Sequence, residues 1–172
     1  MVFIRLLEFI HVDGLITPHE EHFVHVVAQN FNIETKEFEN IFQFIISPFK
    51  NSIPRTQLLI VSNTDQLQVE DLEGLWVETN RPREDERKLI LRSNLQGSIF
   101  ILKLDTINQF MLRYFGTGDI QLNNKPLISG VSYLIDTGSI IKVPDNNPIY
   151  FREIESTLFA QPGNSGIKPI KQ

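Results

Sequence analysis

The chain has 172 residues, of which 41% are hydrophobic, 10% are aromatic and none is cysteine, and its net charge is -5. This length allows one mid-sized domain or two small ones. The absence of cysteine excludes disulfides, thiolate catalysis and cysteine-ligated metal sites. Because no basic block is present and no apolar run approaches the roughly 20 residues of a membrane helix, we expect a cytoplasmic protein without nucleic-acid binding or membrane insertion.

The first 48 residues are predicted to form a short helical subdomain of three amphipathic helices. Apolar residues recur there at the helical period of 3.6 in three successive windows, and each window predicts one apolar face. The three predicted faces are Phe3, Leu6, Leu7 and Ile10; Phe23, Val26, Val27 and Phe31; and Phe38, Ile41, Phe42 and Ile45.

The boundary between the first two helices carries specific signals. Asp13 and Gly14 suit the end of a helix, and Pro18 suits the first turn of the next one. Thr17 and Glu20 have the T-x-x-E spacing of a capping box, in which each side chain bonds the other residue's backbone N–H. The pattern therefore predicts a helix-turn-helix unit here.

The remaining chain is predicted to be mostly β. Ser47-Pro48 ends the third helix because the residue before proline disfavours helical dihedrals, and residues 49–56 are predicted to be a linker. Turn signals then recur about every 8 to 12 residues, which is typical of sandwiches and barrels. The predicted strands are residues 57–61, 75–78, 88–92, 98–104, 109–115, 120–122, 131–135 and 139–143.

These elements predict an α+β protein in which the helical subdomain precedes an antiparallel β-sandwich at residues 57–155. Asn123, Asn124 and Gly138 lie in predicted turns, since Asn and Gly tolerate positive φ. Residues 80–87 form a charged run that indicates a solvated loop, and residues 63–73 favour no element. Residues 156–172 lack periodicity and are predicted to be a flexible tail, typical of a linker leading to a further domain.

Four residues of the helical segment are candidate metal ligands: Asp13, Glu20, His19 and His22. Asp13 and Glu20 have the offsets of the second half of a calcium loop, but Phe9 stands where its first acidic ligand belongs. His19 and His22 are three residues apart, whereas a zinc-hydrolase helix needs histidines four apart. The capping role accounts for Glu20 without a metal, so we expect no metal and no cofactor.

Catalytic motifs are missing from the sequence. It contains no phosphate-binding glycine loop of either common type, and Gly138-Ser139 lacks the G-x-S-x-G pattern of a nucleophile elbow. No histidine follows His25 to serve as a base for a later nucleophile. We therefore assign no catalytic residue and expect that this chain is not an enzyme.

The helical segment resembles the TerB-like tellurite-resistance domains. The similarity is carried by H-V-D-G-L-I-T-P-H-E-E at residues 11–21, whose turn is similar to the D-G-x-[IV]-x-x-x-E turn of that family. The resemblance implies a metal-responsive helical domain as one alternative function, with Asp13, Glu20, His19 and His22 as its candidate ligands.

The β segment resembles forkhead-associated (FHA) domains. Asn123-Asn124-Lys125-Pro126-Leu127 and residues 134–141, LIDTGSII, are similar to the closing turn and strand of that sandwich. The resemblance implies a protein-interaction module, with Arg113, Lys125 and Arg152 as candidate partner-binding cations. The G-R pair and S-x-x-H loop with which the family reads phosphothreonine are absent.

The combination resembles the N-terminal region of ABC-transporter ATP-binding proteins of the Bacteroidetes type. N-P-I-Y-F-R-E-I at residues 147–154 is similar to the segment that precedes the ATPase domain in those proteins. The resemblance implies a non-catalytic accessory, regulatory or scaffolding region that positions a downstream ATPase, with an intramolecular or protein partner. It also implies a place at the inner face of the membrane as part of a transporter.

Overall fold

A computed structural model describes residues 2–46, 53–54, 56–63 and 88–160. These residues form four helices and nine strands, which confirms the α+β class. The helices are α1 (Val2–Ile10), α2 (Pro18–Asn30), α3 (Thr35–Ile46) and α4 (Phe151–Leu158). The strands are β1 (Leu58–Ser62), β2 (Lys88–Leu91), β3 (Ser98–Leu104), β4 (Gln109–Phe115), β5 (Gln121–Leu122), β6 (Lys125–Pro126), β7 (Ser132–Ile135), β8 (Ile140–Lys142) and β9 (Ile149–Tyr150).

The strands form two sheets. The five-stranded sheet has the order β2-β1-β3-β4-β7, and the four-stranded sheet has the order β6-β5-β8-β9. All pairs are antiparallel except β1 and β2, which run parallel with Leu59 opposite Lys88. The expectation of a wholly antiparallel β region is therefore wrong at this edge of the sheet.

Two hydrophobic cores lie on the two faces of the five-stranded sheet. In β3, Ile99 and Ile101 face the four-stranded sheet and α4, whereas Phe100 and Leu102 face helices α1 to α3. Successive side chains of a strand point to opposite faces, so a strand covered on both sides reads as a continuous apolar run. We call the core that faces the four-stranded sheet and α4 the inter-sheet core, and the core that faces helices α1 to α3 the helix–sheet core.

The turn at Asn123 and Asn124 follows the predicted chemistry, whereas Gly138 lies in its predicted turn without a positive φ. Asn123 and Asn124 both have positive φ, 51° and 65°, in the tight turn that joins β5 to β6. Asn tolerates this left-handed backbone better than other residues with a side chain. The capping box also forms: Glu20 N donates to Thr17 Oγ1 at 3.3 Å, and Thr17 N donates to a Glu20 carboxylate oxygen at 2.8 Å.

The buried face of α2 differs from the predicted one. The helix buries Val24 and Ala28, and Val27 of the predicted face is half-buried against the helix–sheet core. The other three residues of that face, Phe23, Val26 and Phe31, are exposed. Small side chains let α2 approach α1 and α3 closely, and larger aromatic ones would hold the helices apart. The sequence holds two overlapping apolar stripes on this helix, and packing selects the smaller one.

The C-terminal end also differs from the expectation. Residues 156–158, predicted to belong to a flexible tail, are the last turn of α4, which buries Phe151, Ile154 and Leu158 in the inter-sheet core. The predicted strand at 75–78, the predicted loop at 80–87, the helix stop at 47–48 and the tail beyond residue 160 lie outside the described residues.

Candidate functional site

An apolar cleft of about 220 Å³ opens between the helices and one end of the five-stranded sheet. Its walls come from the start of α1, the turn between α2 and α3, helix α3, the end of β3, and the turn between β3 and β4. The lining residues are Val2, Phe3, Ile4, Phe31, Ile33, Glu37, Ile41, Leu104, Thr106 and Ile107. We call this the apolar cleft.

Three large apolar side chains on the rim of the apolar cleft remain exposed to solvent. Val2 is 72% exposed, Phe31 is 54% exposed and Ile107 is 53% exposed. They come from three elements that are distant in sequence. Single exposed apolar residues are ordinary on a protein surface, but several that share one concave site indicate a binding surface.

Hydrogen bonds hold the two walls of the cleft together. The Glu37 carboxylate of α3 accepts from the Thr106 backbone N–H at 3.0 Å and also from the Thr106 hydroxyl, so the turn that carries Ile107 is tied to the helix. Beside it, Asn40 donates to Gln57 at 2.6 Å, and Gln57 donates to Asp105 at 3.0 Å. The cleft is thus preformed, which lowers the entropic cost of binding.

Arg113 attaches the helices to the sheet from the other side. Its Nη1 donates to the Phe44 and Ile45 carbonyls at 2.7 and 2.6 Å, and its Nη2 donates to the Gly130 carbonyl at 2.7 Å. Those α3 carbonyls lie in the last turn of the helix, where backbone acceptors lack helical partners and a cation is favourable. Burial lowers the pKa of Arg113 from its ordinary value, and the nearby Glu8 carboxylate opposes this shift.

This geometry corrects the prediction that Arg113 contacts a partner. The residue is only 7% exposed, and its guanidinium donates to three backbone carbonyls within the chain. Its role is internal because β4 directs alternate side chains toward the helices. The other two candidate cations, Lys125 on β6 and Arg152 on α4, are exposed.

A third connection joins α1 to the edge of the five-stranded sheet. The Glu8 carboxylate accepts from the Ser132 backbone N–H of β7 at 2.7 Å, while its other oxygen pairs with Arg5 at 2.6 Å. An edge strand offers backbone groups that other chains can pair with. Glu8 accepts a hydrogen bond from one of these edge groups, the Ser132 N–H.

The four candidate metal ligands lie around the start of α2. Glu20 is engaged with Thr17, and these hydrogen bonds lower the pKa of its carboxyl below the ordinary value. Asp13, His19 and His22 are exposed. Within the described ranges, no three His, Asp or Glu side chains are grouped closely enough to hold a metal ion.

The sequence patterns did not identify the apolar cleft. Phe31 was assigned to the buried face of α2, and Val2 and Ile107 were given no role. The sequence does contain one indication of this site: Ile107 is a large apolar residue in the turn between β3 and β4, where polar residues are expected. Its convergence with Val2 and Phe31 depends on how the helices pack on the sheet.

No protein-family model, curated protein or solved structure matches this chain. Among the residues that the structure describes, no helix has the length and apolarity needed to cross a membrane.

Proposed function

We propose that this chain is a non-catalytic accessory region of an ABC-transporter ATP-binding subunit. In this role the helices and sheets form one unit that binds a protein surface through the apolar cleft, and that unit positions or regulates a downstream ATPase domain. The observation that carries the proposal is the convergence of Val2, Phe31 and Ile107 on one preformed cleft.

The composition of the cleft favours binding over chemistry. Among the described residues that line the cleft, Glu37 is the only ionisable one, and its carboxylate already accepts two hydrogen bonds from Thr106. A general acid or base has to reach the proton that it transfers. A site with apolar walls and one engaged carboxylate is suited to receiving an apolar side chain.

The attachment of the helices supports a scaffolding role. Arg113, Glu8 and Glu37 each bond across the boundary between helices and sheet. A partner bound on the helices would thus be held in a fixed orientation to the strands and to α4. The resemblance of residues 147–154 to the segment preceding an ATPase domain indicates what the unit would position.

The first test is the coding sequence that follows Gln172. The proposal expects a strand and a glycine-rich phosphate loop downstream. A stop codon directly after Gln172 would overturn the transporter assignment, because no ATPase domain would then be present to position.

The second test uses the longer polypeptide with its ATPase domain. Ile107→Asp places a charge in the cleft, and Ile128→Asp makes the same change at an exposed site in the turn before β7. We expect Ile107→Asp to change the ATP hydrolysis rate by about tenfold, equivalent to about 1.4 kcal/mol, and Ile128→Asp to leave it unchanged. Equal rates for both variants and the parent would contradict a regulatory role for the cleft.

A further inference from the structure

The distribution of charge indicates which partner the apolar cleft accepts. Residues 1–46 hold two basic side chains, Arg5 and Lys36, against seven acidic ones, a net charge of -5. This equals the net charge of the whole chain, so the remaining residues are balanced overall. The helical segment is therefore strongly acidic, as are residues 64–87, whose net charge is also -5.

Part of the acidic charge of the helical segment lies directly beside the cleft. A polar groove adjoins it at the start of α3 and shares Glu37 and Thr106 with it. Its charged residues are Glu34, Glu37, Asp105, Lys36 and Lys103. Lys103 pairs with Asp105 at 2.8 Å, which leaves Glu34 and Glu37 against Lys36.

The exposed apolar residues are concentrated on the same helical segment. Besides Val2 and Phe31, helix α2 exposes Phe23 and Val26, and α1 exposes Phe9. A surface that is both apolar and acidic complements a segment that is both apolar and basic. Such segments are commonly amphipathic helices whose apolar face enters a groove while basic residues stay at its rim.

We propose that the apolar cleft binds a basic amphipathic helix of a partner protein. An apolar side chain of that helix enters between Val2, Phe31 and Ile107, and its Lys or Arg residues lie along Glu34 and the acidic start of α3. This inference rests on the proposed function, because it names the partner of the same site.

The probe is a synthetic Leu/Lys amphipathic peptide of about 18 residues, or five helical turns. Two further peptides serve as controls: one carries Glu in place of every Lys, and one has the Leu/Lys order scrambled so that no apolar face forms. Each is titrated into the full ¹⁵N-labelled chain, and amide chemical shifts are recorded. We expect shifts at residues lining the cleft with the Leu/Lys peptide alone.

Matched variants separate the apolar and charged contributions. We expect Ile107→Asp and Glu34→Lys each to weaken binding of the Leu/Lys peptide by about tenfold or more. Ile128→Asp and Glu155→Lys make the same changes of residue at other exposed positions, and they should leave the peptide affinity unchanged. We also expect the weakening by Glu34→Lys to diminish at high salt, because salt screens exposed charges.

Three outcomes would overturn the inference. Equal binding of the Leu/Lys and Leu/Glu peptides would show that the cleft does not prefer a basic partner. Shifts spread evenly over the acidic surface would indicate unspecific attraction, and self-association abolished by Ile107→Asp would indicate that a second copy fills the cleft. The proposed function fails separately, when Ile107→Asp leaves ATP hydrolysis by the longer polypeptide unchanged.

Discussion

The two hydrophobic cores of this protein differ in how they are closed. The inter-sheet core lies between two hydrogen-bonded sheets and is sealed by α4, whereas the helix–sheet core is covered by three helices that share no backbone ladder with the strands. Side-chain bonds from Arg113, Glu8 and Glu37 attach those helices instead. The helical layer is consequently the part of the molecule that single substitutions can loosen while the sheets persist.

The largest expected effect is that of Phe44→Ala in the helix–sheet core. Phe44 is fully buried, and truncating a buried phenylalanine costs about 3 to 5 kcal/mol through lost burial and the remaining cavity. Amide hydrogen exchange should accelerate in α1 to α3 more than in β3 and β4. Uniform acceleration in all elements would show that the two cores unfold as one unit.

Arg113→Met tests the attachment without removing the apolar stem of the side chain. We expect a loss of about 3 kcal/mol in the free energy of unfolding, because three backbone carbonyls lose a charged donor in a buried setting. Urea denaturation measures this. Arg152→Met, at an exposed arginine, is the control and should change stability by less than about 0.5 kcal/mol.

Gly97→Ala tests the other core at the loop between β2 and β3. Gly97 has a φ of 109°, and an added Cβ would lie 2.1 Å from the Phe115 carbonyl oxygen. We expect a loss of about 2 kcal/mol or more from backbone strain and displacement. In contrast to Phe44→Ala, exchange should accelerate first in the strands. Gly14→Ala is the control, because Gly14 also has a positive φ, 77°, but an added Cβ there would contact nothing within 4 Å. The difference in stability loss between the two variants gives the contribution of the clash at Gly97.

The smallest expected effect is the loss of helix stability when the Glu20 carboxylate is protonated, and it is confined to the helical layer. Hydrogen bonds from Thr17 lower the pKa of its carboxyl below the ordinary value of 4.5. The stabilisation is therefore present above pH 4.5 and is lost as the pH falls through the lowered pKa. Circular dichroism should show the helical signal of the parent decreasing in this acidic range. Glu20→Gln, which does not titrate, should lack this component; an identical decrease in both would contradict it.

Much of the fold follows from local chemistry. β3 and β4 are mainly apolar segments between turn signals. Thr17 and Glu20 fix the start of α2 through hydrogen bonds between residues three apart. Such features depend on neighbours in sequence, so the sequence predicts them. The parallel pairing of β1 with β2 was not predicted, because the relative direction of two strands cannot be read from the residues of either strand.

The candidate site, in contrast, could not be predicted from the sequence. Arg113 was a candidate partner-binding cation, because an arginine in a predicted strand gives no sign of which face the helices cover. Val2, Phe31 and Ile107 lie far apart in sequence, and only packing brings them to one cleft.

The sequence by itself determined the helical period of residues 3–45, the turns at Asn123 and Asn124, and the order of most elements, because each depends on contacts within a few residues. The tertiary structure decided which stripe of α2 is buried, that Arg113 caps α3, and that the exposed apolar residues converge. Those outcomes depend on the competition between faces for burial, which is settled only when helices and sheet meet.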